Sequence, residues 1–386
     1  MKKVTLITTV AHNVGDDFVR DGIAYLLERV LGPFEARLVH KHFPVTARRG
    51  CDRLHLHPVV RALRRLPGLR GDRLSRWLDA RPLDAHGDAI LECDLLVQCG
   101  APVFWLNARQ ASQDNEWYGP LIRRRWLARH PRPPFLNLGA GACQPFASTG
   151  AEFAEAAATH AYIRELFDRC TLTTVRDRLA EKIVGLAGRT APLLPCPSLF
   201  ARHAHGIPSA AGEFVALNFM PLGGHYQFEP PPDAERWHRV FAAFLQRLGP
   251  EERCVMVCHD RAEEAYARRH FPAVPRFFST DHRAYLSTYA RAKYGLVNRV
   301  HAAFALASFG RPSIVIGNDS RAHMAELIDL PVFDVRAVDS ALLTTAWEQM
   351  KRRTGDYAAG SADRLATLER DYLALVRTAL ERHGLD

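Results

Sequence analysis

The sequence predicts an α/β protein built from two doubly wound domains that face each other across a cleft. Short runs rich in valine, isoleucine and leucine alternate with helical patterns along the chain, which is how parallel strands covered by helices read. At 386 residues the chain exceeds what one hydrophobic core organises, so two cores are expected. Residues 189–212 carry four prolines and little periodicity, and they divide the pattern into halves.

The first half opens with "KVTLITTV" at residues 3–10, read as a buried strand. Two lysines ahead of an apolar run have the look of a secretion signal, but His12 and Asn13 interrupt it and no small-residue cleavage site follows. Residues 17–31 form a helix with Val19, Ile23, Leu26, Leu27 and Val30 on one face. "DLLVQCG" (94–100), "PFLNLGAG" (134–141) and "RCTLTTVRD" (169–177) follow as strands, the last leading into a helix through Val184.

In the second half "EFVALNF" (213–219) is a strand, and the next loop, "MPLGGHYQFEPPPD", holds glycines and prolines that forbid regular structure. Helices over 234–248, 262–270, 283–292, 300–308 and 321–328 then alternate with strands over 253–258, 274–278, 294–298 and 312–317. Two helices, 340–353 and 362–383, close the chain. The expected division is an amino-terminal domain over 1–200, a linker over 201–212, a carboxy-terminal domain over 213–335 and closing helices over 336–386.

Hydrophobic residues at 47% and charged residues at 24% are ordinary for a soluble globular protein. No stretch approaches the roughly 18 continuous apolar residues of a spanning helix. The eight cysteines, several of them inside apolar runs, read as small buried hydrophobes in a reducing, cytoplasmic compartment. Cys254 and Cys258 on one strand lie ~13 Å apart, too far to share a zinc ion, and no metal is expected. The net charge of +9 is uneven: the stretch from Arg61 to Arg81 holds seven arginines against two aspartates. Such a stretch is either a solvated helical face or a patch drawn to anionic lipid head groups or polyanionic substrates, so peripheral contact with the inner face of a membrane is one expectation. No nucleic-acid motif accompanies the charge, and that class of partner is set aside.

In open parallel sheets, ligands bind beyond the carboxyl ends of the strands. The segment "NRVH" stands at such an end, between the strand "YGLV" and the helix "AAFALAS". A helix amino terminus favours anions, Arg299 adds a fork suited to carboxylate or phosphate, and His301 can move a proton near neutral pH. The alternative is an ion pair for Arg299 and a capping role for His301, with Asn298 beside them. The first strand-to-helix turn offers Asn13, Gly15, Asp16 and Asp17: Gly15 permits a tight turn, Asp16 caps the helix, and the other aspartate meets acceptor hydroxyls. Arg176 ends the mid-chain strand and either reaches the ligand or pairs with Asp177. His259 and Asp260 end another strand, Gly100 ends the strand "DLLVQC", and His225 with Tyr226 sit in a loop able to cover a substrate.

The stretch "NRVHAAFALASFGRPSIVIGNDSRAH" resembles the carboxy-terminal signature of the polysaccharide pyruvyl transferase family, an Arg-x-His turn followed by a small-residue helix, Gly-x-Pro and a strand. "HNVGDDFVRDGIAYLL" is similar to that family's opening turn and helix, "TTVRDRLAEKIV" to its mid-chain Arg-Asp element, and "CPSLF" more loosely to the segment leaving its first domain. The resemblance implies two Rossmann-like domains in a GT-B-like arrangement and no cofactor. It also implies phosphoenolpyruvate as donor, and a saccharide or lipid-linked glycan precursor whose two hydroxyls receive pyruvate as a ketal. In that chemistry His301 is the general acid and base, and Arg299 and Arg176 hold the donor's phosphate and carboxylate. The chain departs from the family at "CGAPVFW", which keeps only Gly100 of a glycine run, and at Arg321, which stands where a lysine is common. Two other readings compete: a glycosyltransferase with a nucleotide-sugar donor, using Glu326 as a ribose-binding carboxylate, and a non-catalytic binding protein.

Overall fold

The structure, a computed structural model, describes residues 1–9, 13–41, 89–106, 117–123, 125–248 and 252–385. The arginine-rich stretch between Arg61 and Arg81 lies outside the described residues, as do His12 and the end of the first expected strand.

The first half holds β1 (Lys2–Thr8), α1 (Val14–Leu31), β2 (Phe34–His40), β3 (Leu95–Cys99), β4 (Pro102–Phe104), β5 (Phe135–Ala142), α2 (Ala157–Arg169), β6 (Leu172–Val175) and α3 (Arg178–Leu186). Its strands are parallel in the order β2-β1-β3-β5-β4, with β6 also paired to β5. β3 and β5 are buried along their whole length, and that is why they read as unbroken apolar runs rather than alternating ones. β2, at the sheet edge, is half exposed and mixes charges into its sequence, which hid it from a search for apolar runs.

After a 3-10 turn (Pro197–Phe200) and α4 (Ala201–Ala204) comes the second half. It consists of β7 (Phe214–Asn218), α5 (Ala234–Leu248), β8 (Cys254–Val257), α6 (Arg261–His270), β9 (Arg276–Phe277), α7 (His282–Ala290), β10 (Ala292–Val297), α8 (Val300–Ser308), β11 (Ser313–Gly317) and β12 (Val332–Asp334). The order β12-β11-β10-β7-β8-β9 is parallel throughout and is the doubly wound order, with its reversal between β7 and β10. Asn218 ends β7, and Asn298 comes directly after β10. The position "NRVH" therefore lies at the switch point, where the two neighbouring connections diverge and leave a crevice.

Two expectations need correction. Ser320–Ile328 winds as a 3-10 helix rather than an α-helix, its first residue held by a bond from Ser320 N to Gln144 O and by another from Gln144 N to Ser320 Oγ. The carboxy terminus is one helix of 42 residues, α9 (Ser340–Glu381), instead of two. Gly355 and Gly360 suggest a break, but the stripe Leu343, Trp347 and Met350 packs into the core of the second half, and Leu368, Tyr372, Val376 and Leu380 pack into the cluster that contains α1. Burying a stripe on each side of the glycines outweighs their roughly 1 kcal/mol cost each. Tyr372 Oη donates to Pro195 O and Tyr25 Oη to Glu369, so the helix ties both halves together. That same apolar cluster joins Phe18, Val19 and Ile23 of α1 to Leu199 and Phe200 and to Ala302 and Ala303 of α8, with no solvent layer between the halves at this point.

Candidate active site

A small cleft opens at the carboxyl ends of both sheets. Asn13 and Gly15 line it from the first half, and Asn298, Arg299, His301 and Arg321 from the second.

On the first side, Asn13 rather than Asp16 caps α1: its Oδ1 accepts from Gly15 N at 3.1 Å. Asp16 is thereby released from capping, and its carboxylate accepts from the Thr9 hydroxyl. Burial pushes this carboxyl up, but Lys41, the Thr9 hydroxyl, His301 and Arg176 together outweigh it and hold Asp16 below the ordinary range. Asp17, expected at the ligand, is instead ion-paired to Arg20 and is not part of the cleft wall.

Gly15 and His301 meet across the two halves. A Cβ at Gly15 would fall 2.4 Å from His301 Nδ1, so only glycine lets the ring sit against the start of α1. The other ring nitrogen, Nε2, lies 3.8 Å from Cys196 Sγ. Burial, then Arg176, lowers the His301 pKa to about 3 against a modest opposing pull from Asp16, with Arg321 and Arg299 adding to the drop. At neutral pH the imidazole is uncharged, and the nearby arginines make it a weak base until a negative charge arrives beside it.

Arg176 is 1% exposed and sits behind His301, its Nη1 3.7 Å from the same Cys196 sulfur. Glycines shape its cradle: a Cβ at Gly141 would stand 2.7 Å from Arg176 Nε, and one at Gly100 3.3 Å from Nη1. The ion pair with Asp177 does not form. Asp177 accepts from Ala180 N at 2.7 Å, capping α3, and from Ala142 N at 2.9 Å. Arg176 Nε has no hydrogen-bond partner, and no carboxylate pairs with this arginine among the described residues. A buried guanidinium with no carboxylate in ion-pair contact is costly; Asp16 and Asp177 act on Arg176 through their fields alone, and the arginine lies behind the cleft lining and not on it. Gly100 serves this packing and does not line the cleft. The next residue, Ala101, adopts φ 77°, the left-handed backbone that a glycine at that point would adopt freely.

Arg299 behaves in the opposite way. Its Nε donates to Glu263 Oε1 and its Nη2 to Asp260 Oδ2, both at 2.6 Å, and its backbone N donates to Asn218 Oδ1. Glu263 in turn accepts from Asn218 Nδ2 and His259 N through its other oxygen. This is the ion-pair alternative for Arg299: its charge is matched inside the second half, and it shapes the cleft wall without being a free cation. Asn298 is equally committed, accepting from Met220 N and donating to Ile316 O. It clamps the ends of β7, β10 and β11 together. His259 Nε2 lies 2.6 Å from Tyr289 Oη while its Nδ1 is buried without a partner, and burial keeps the ring neutral.

Sequence reasoning passed over Asn218 and Glu263, the groups that neutralise and fix Arg299. A polar residue closing a buried strand, as Asn218 does in "VALN", was the available signal. It also left Arg321 as a retained charge of altered geometry: the structure shows its guanidinium paired with both Asp319 oxygens, at 2.8 and 2.6 Å, under the ring of Tyr226 at 4.5 Å. Tyr226 belongs to the glycine-rich loop and also meets Trp105 of the first half, their tilted rings 5.4 Å apart, so the loop spans the cleft. Glu326 is bonded to His323 at 2.7 Å.

No helix among the described residues is long and apolar enough to cross a membrane. No curated protein matches the chain in sequence. In backbone the chain is similar to the S. aureus MnaA–UDP co-structure, at 11% identity over 97% of this chain and 98% of that one, with a TM-score of 0.52. More distant are the E. coli heptosyltransferase WaaC with ADP, at 12% identity over 90% and 99% and a TM-score of 0.47, and Methanocaldococcus jannaschii UDP-GlcNAc 2-epimerase in complex with UDP-GlcNAc and UDP, at 10% over 90% and 92% and a TM-score of 0.47. At such identity the likeness fixes the fold alone, the GT-B-like pair of Rossmann-like units. The sequence profile described as polysaccharide pyruvyl transferase matches residues 13–320, which takes in Asn13, Arg176, Arg299 and His301. The chain belongs to the polysaccharide pyruvyl transferase family and is a transferase.

Proposed function

We propose that the protein transfers the pyruvate unit of phosphoenolpyruvate onto two hydroxyls of a saccharide or glycan precursor, releasing inorganic phosphate and leaving a ketal. The observation that carries this reading is Arg176, a buried guanidinium with no carboxylate partner among the described residues, set beside a neutral histidine at an interdomain cleft. An anionic donor supplies the missing counter-charge.

The reaction needs a proton delivered to the donor's methylene carbon, a hydroxyl added at the neighbouring carbon, loss of phosphate from that carbon, and addition of a second hydroxyl. His301 is the group for both proton movements. It is neutral in the free protein because burial and nearby arginines disfavour its charge. A bound dianion offsets the field of Arg176 and Arg321, raises the histidine's pKa and lets it take up the proton that it gives to carbon. Once neutral again it accepts a proton from an incoming hydroxyl. Asp16, kept ionised at the start of α1, repels the phosphate and suits a hydrogen bond from an acceptor hydroxyl. Arg299 acts here as a positioning residue, since Asp260 and Glu263 already hold its charge.

The test is release of inorganic phosphate from phosphoenolpyruvate, with and without saccharide acceptors, run beside nucleotide-sugar donors. Acceptor-dependent phosphate release that disappears in His301→Gln supports the reading. Turnover of a nucleotide sugar with none of phosphoenolpyruvate overturns it in favour of glycosyl transfer.

A further inference from the structure

Away from the cleft, three side chains from three separate elements converge on one point. Asp21 lies on α1 in the first half, His205 follows α4 in the connection between the halves, and His282 is the first residue of α7 in the second half. His205 Nε2 is 2.7 Å and His282 Nε2 2.8 Å from the same oxygen, Asp21 Oδ2. The three ligand-type atoms all lie within 4.8 Å of one another. The Asp21 and His205 side chains are 10% and 12% exposed.

We propose that Asp21, His205 and His282 form a binding site for a divalent first-row cation of the zinc class, which clamps α1 of the first half to α7 of the second.

Three features support this. The donor set, two imidazole nitrogens and one carboxylate oxygen, is that of zinc and related ions, with solvent free to complete the coordination. The other carboxylate oxygen is already fixed: Arg20 donates to Asp21 Oδ1 from Nε at 3.1 Å and from Nη2 at 2.9 Å, and so orients Oδ2 toward the histidines as outer-shell partners of metal sites do. Last, His282 Nε2 is buried and in contact with Asp21 Oδ2 yet lacks hydrogen-bond geometry. Ligands around a cation face the cation and not each other. A cation about 2.0–2.1 Å from both atoms, with the observed 2.8 Å between nitrogen and oxygen, requires the nitrogen lone pair to point off the nitrogen–oxygen line, in keeping with the missing hydrogen bond. His205 is in line with the carboxylate, and the proton it shares there is the one a cation displaces.

Charge agrees. With neutral imidazoles, Asp17, Asp21 and Arg20 sum to one negative charge, so a cation is electrostatically welcome. The location gives it a purpose: Asp21 is five residues, ~7.5 Å of helix rise, beyond Asp16 on the helix whose amino terminus forms one wall of the cleft. A cation here fixes the cleft without touching its ligand.

The experiment is equilibrium binding of Zn²⁺ and of Co²⁺ to the chelator-stripped full-length protein, read by metal content and by the visible d–d bands of Co²⁺, with His205→Ala/His282→Ala and Asp21→Asn run beside it. The expected result is a single ion per chain, Co²⁺ bands typical of mixed nitrogen and oxygen ligands, and binding weaker by roughly 100-fold or more in the variants. Circular dichroism checks that the variants fold, and the melting temperature of the unmodified protein provides a second reading that needs no variant: Zn²⁺ raises it and chelator reverses the rise. Absence of stoichiometric binding, or equal binding by the folded double variant, overturns the site and leaves an ordinary carboxylate with one hydrogen-bonded histidine and a second in contact.

Discussion

Two arginines stand at equivalent places in the two halves, each just past the end of a buried parallel strand, and they do opposite things. Arg176 follows β6 and is sealed among glycine backbone with its Nε unpaired. Arg299 follows β10 and is held by two carboxylates and a carboxamide network. Position in the fold makes both look like ligand-binding cations. Only the neighbours decide which charge is available, since a guanidinium with matched carboxylates gains little from a further anion, while an unmatched one gains a great deal.

Substitutions at the two arginines have the largest expected effects. Arg176→Met removes an unmatched charge, so turnover falls roughly 100-fold or more while stability stays within about 1 kcal/mol of the original or rises. Arg299→Ala leaves Glu263 buried without its partner, and stability drops by about 3 kcal/mol. Steady-state phosphate release and urea denaturation of both variants read this directly. If Arg176→Met unfolds the protein and Arg299→Ala merely weakens donor binding, the assignment of the two roles is reversed.

Next in size is Gly15→Ala. The added methyl occupies the place of His301 Nδ1, so the ring must move. Turnover is expected to fall about tenfold or more with the far-ultraviolet spectrum unchanged, and a variant of full activity shows that His301 has room to spare.

The pH dependence sharpens the role of the histidine. In the free protein His301 has a pKa of about 3, below its ordinary value, so kcat/KM shows no acidic limb from it between about pH 5 and pH 8. In the donor complex the limb moves up and appears in kcat. Stability follows the matching sign: between about pH 3 and the ordinary histidine value the unfolded chain binds a proton that the folded chain does not, so stability is lost as pH falls through that window. Denaturation midpoints of His301→Gln against pH should show a shallower decline.

The smallest expected effect concerns Ala101. Replacing it with glycine relieves the left-handed backbone at φ 77° and raises stability by about 0.5–1 kcal/mol, readable as a higher urea midpoint. No change there indicates that the turn relaxes without strain.

Strands and helices were legible wherever burial left a continuous apolar run or a 3.6-residue stripe, as in β3, β5, β7, β11 and α1. The edge strand β2 and the uninterrupted course of α9 were not, because one is half exposed and the other is held straight by two cores that are distant in sequence. Of the candidates named from strand-to-helix turns and family likeness, Asn13, Gly15 and His301 line the cleft, Arg176 lies buried behind it, and Asp16 leaves the cap to Asn13. Asp17 and Gly100 were placed at the ligand by sequence proximity. The structure gives one to Arg20 and the other to the cradle of Arg176.

What the sequence alone determined is therefore local: hydrophobic period and turn chemistry act over a few residues, and they set the order of elements, the two halves and the candidate turns. What only the tertiary structure decided is the state of each charge. Whether Arg176 is bare, Arg299 matched, His301 neutral, and Asp21 shared by two histidines depends on residues 40 to 260 positions away meeting at one point, where burial removes water and makes each missing or present partner count.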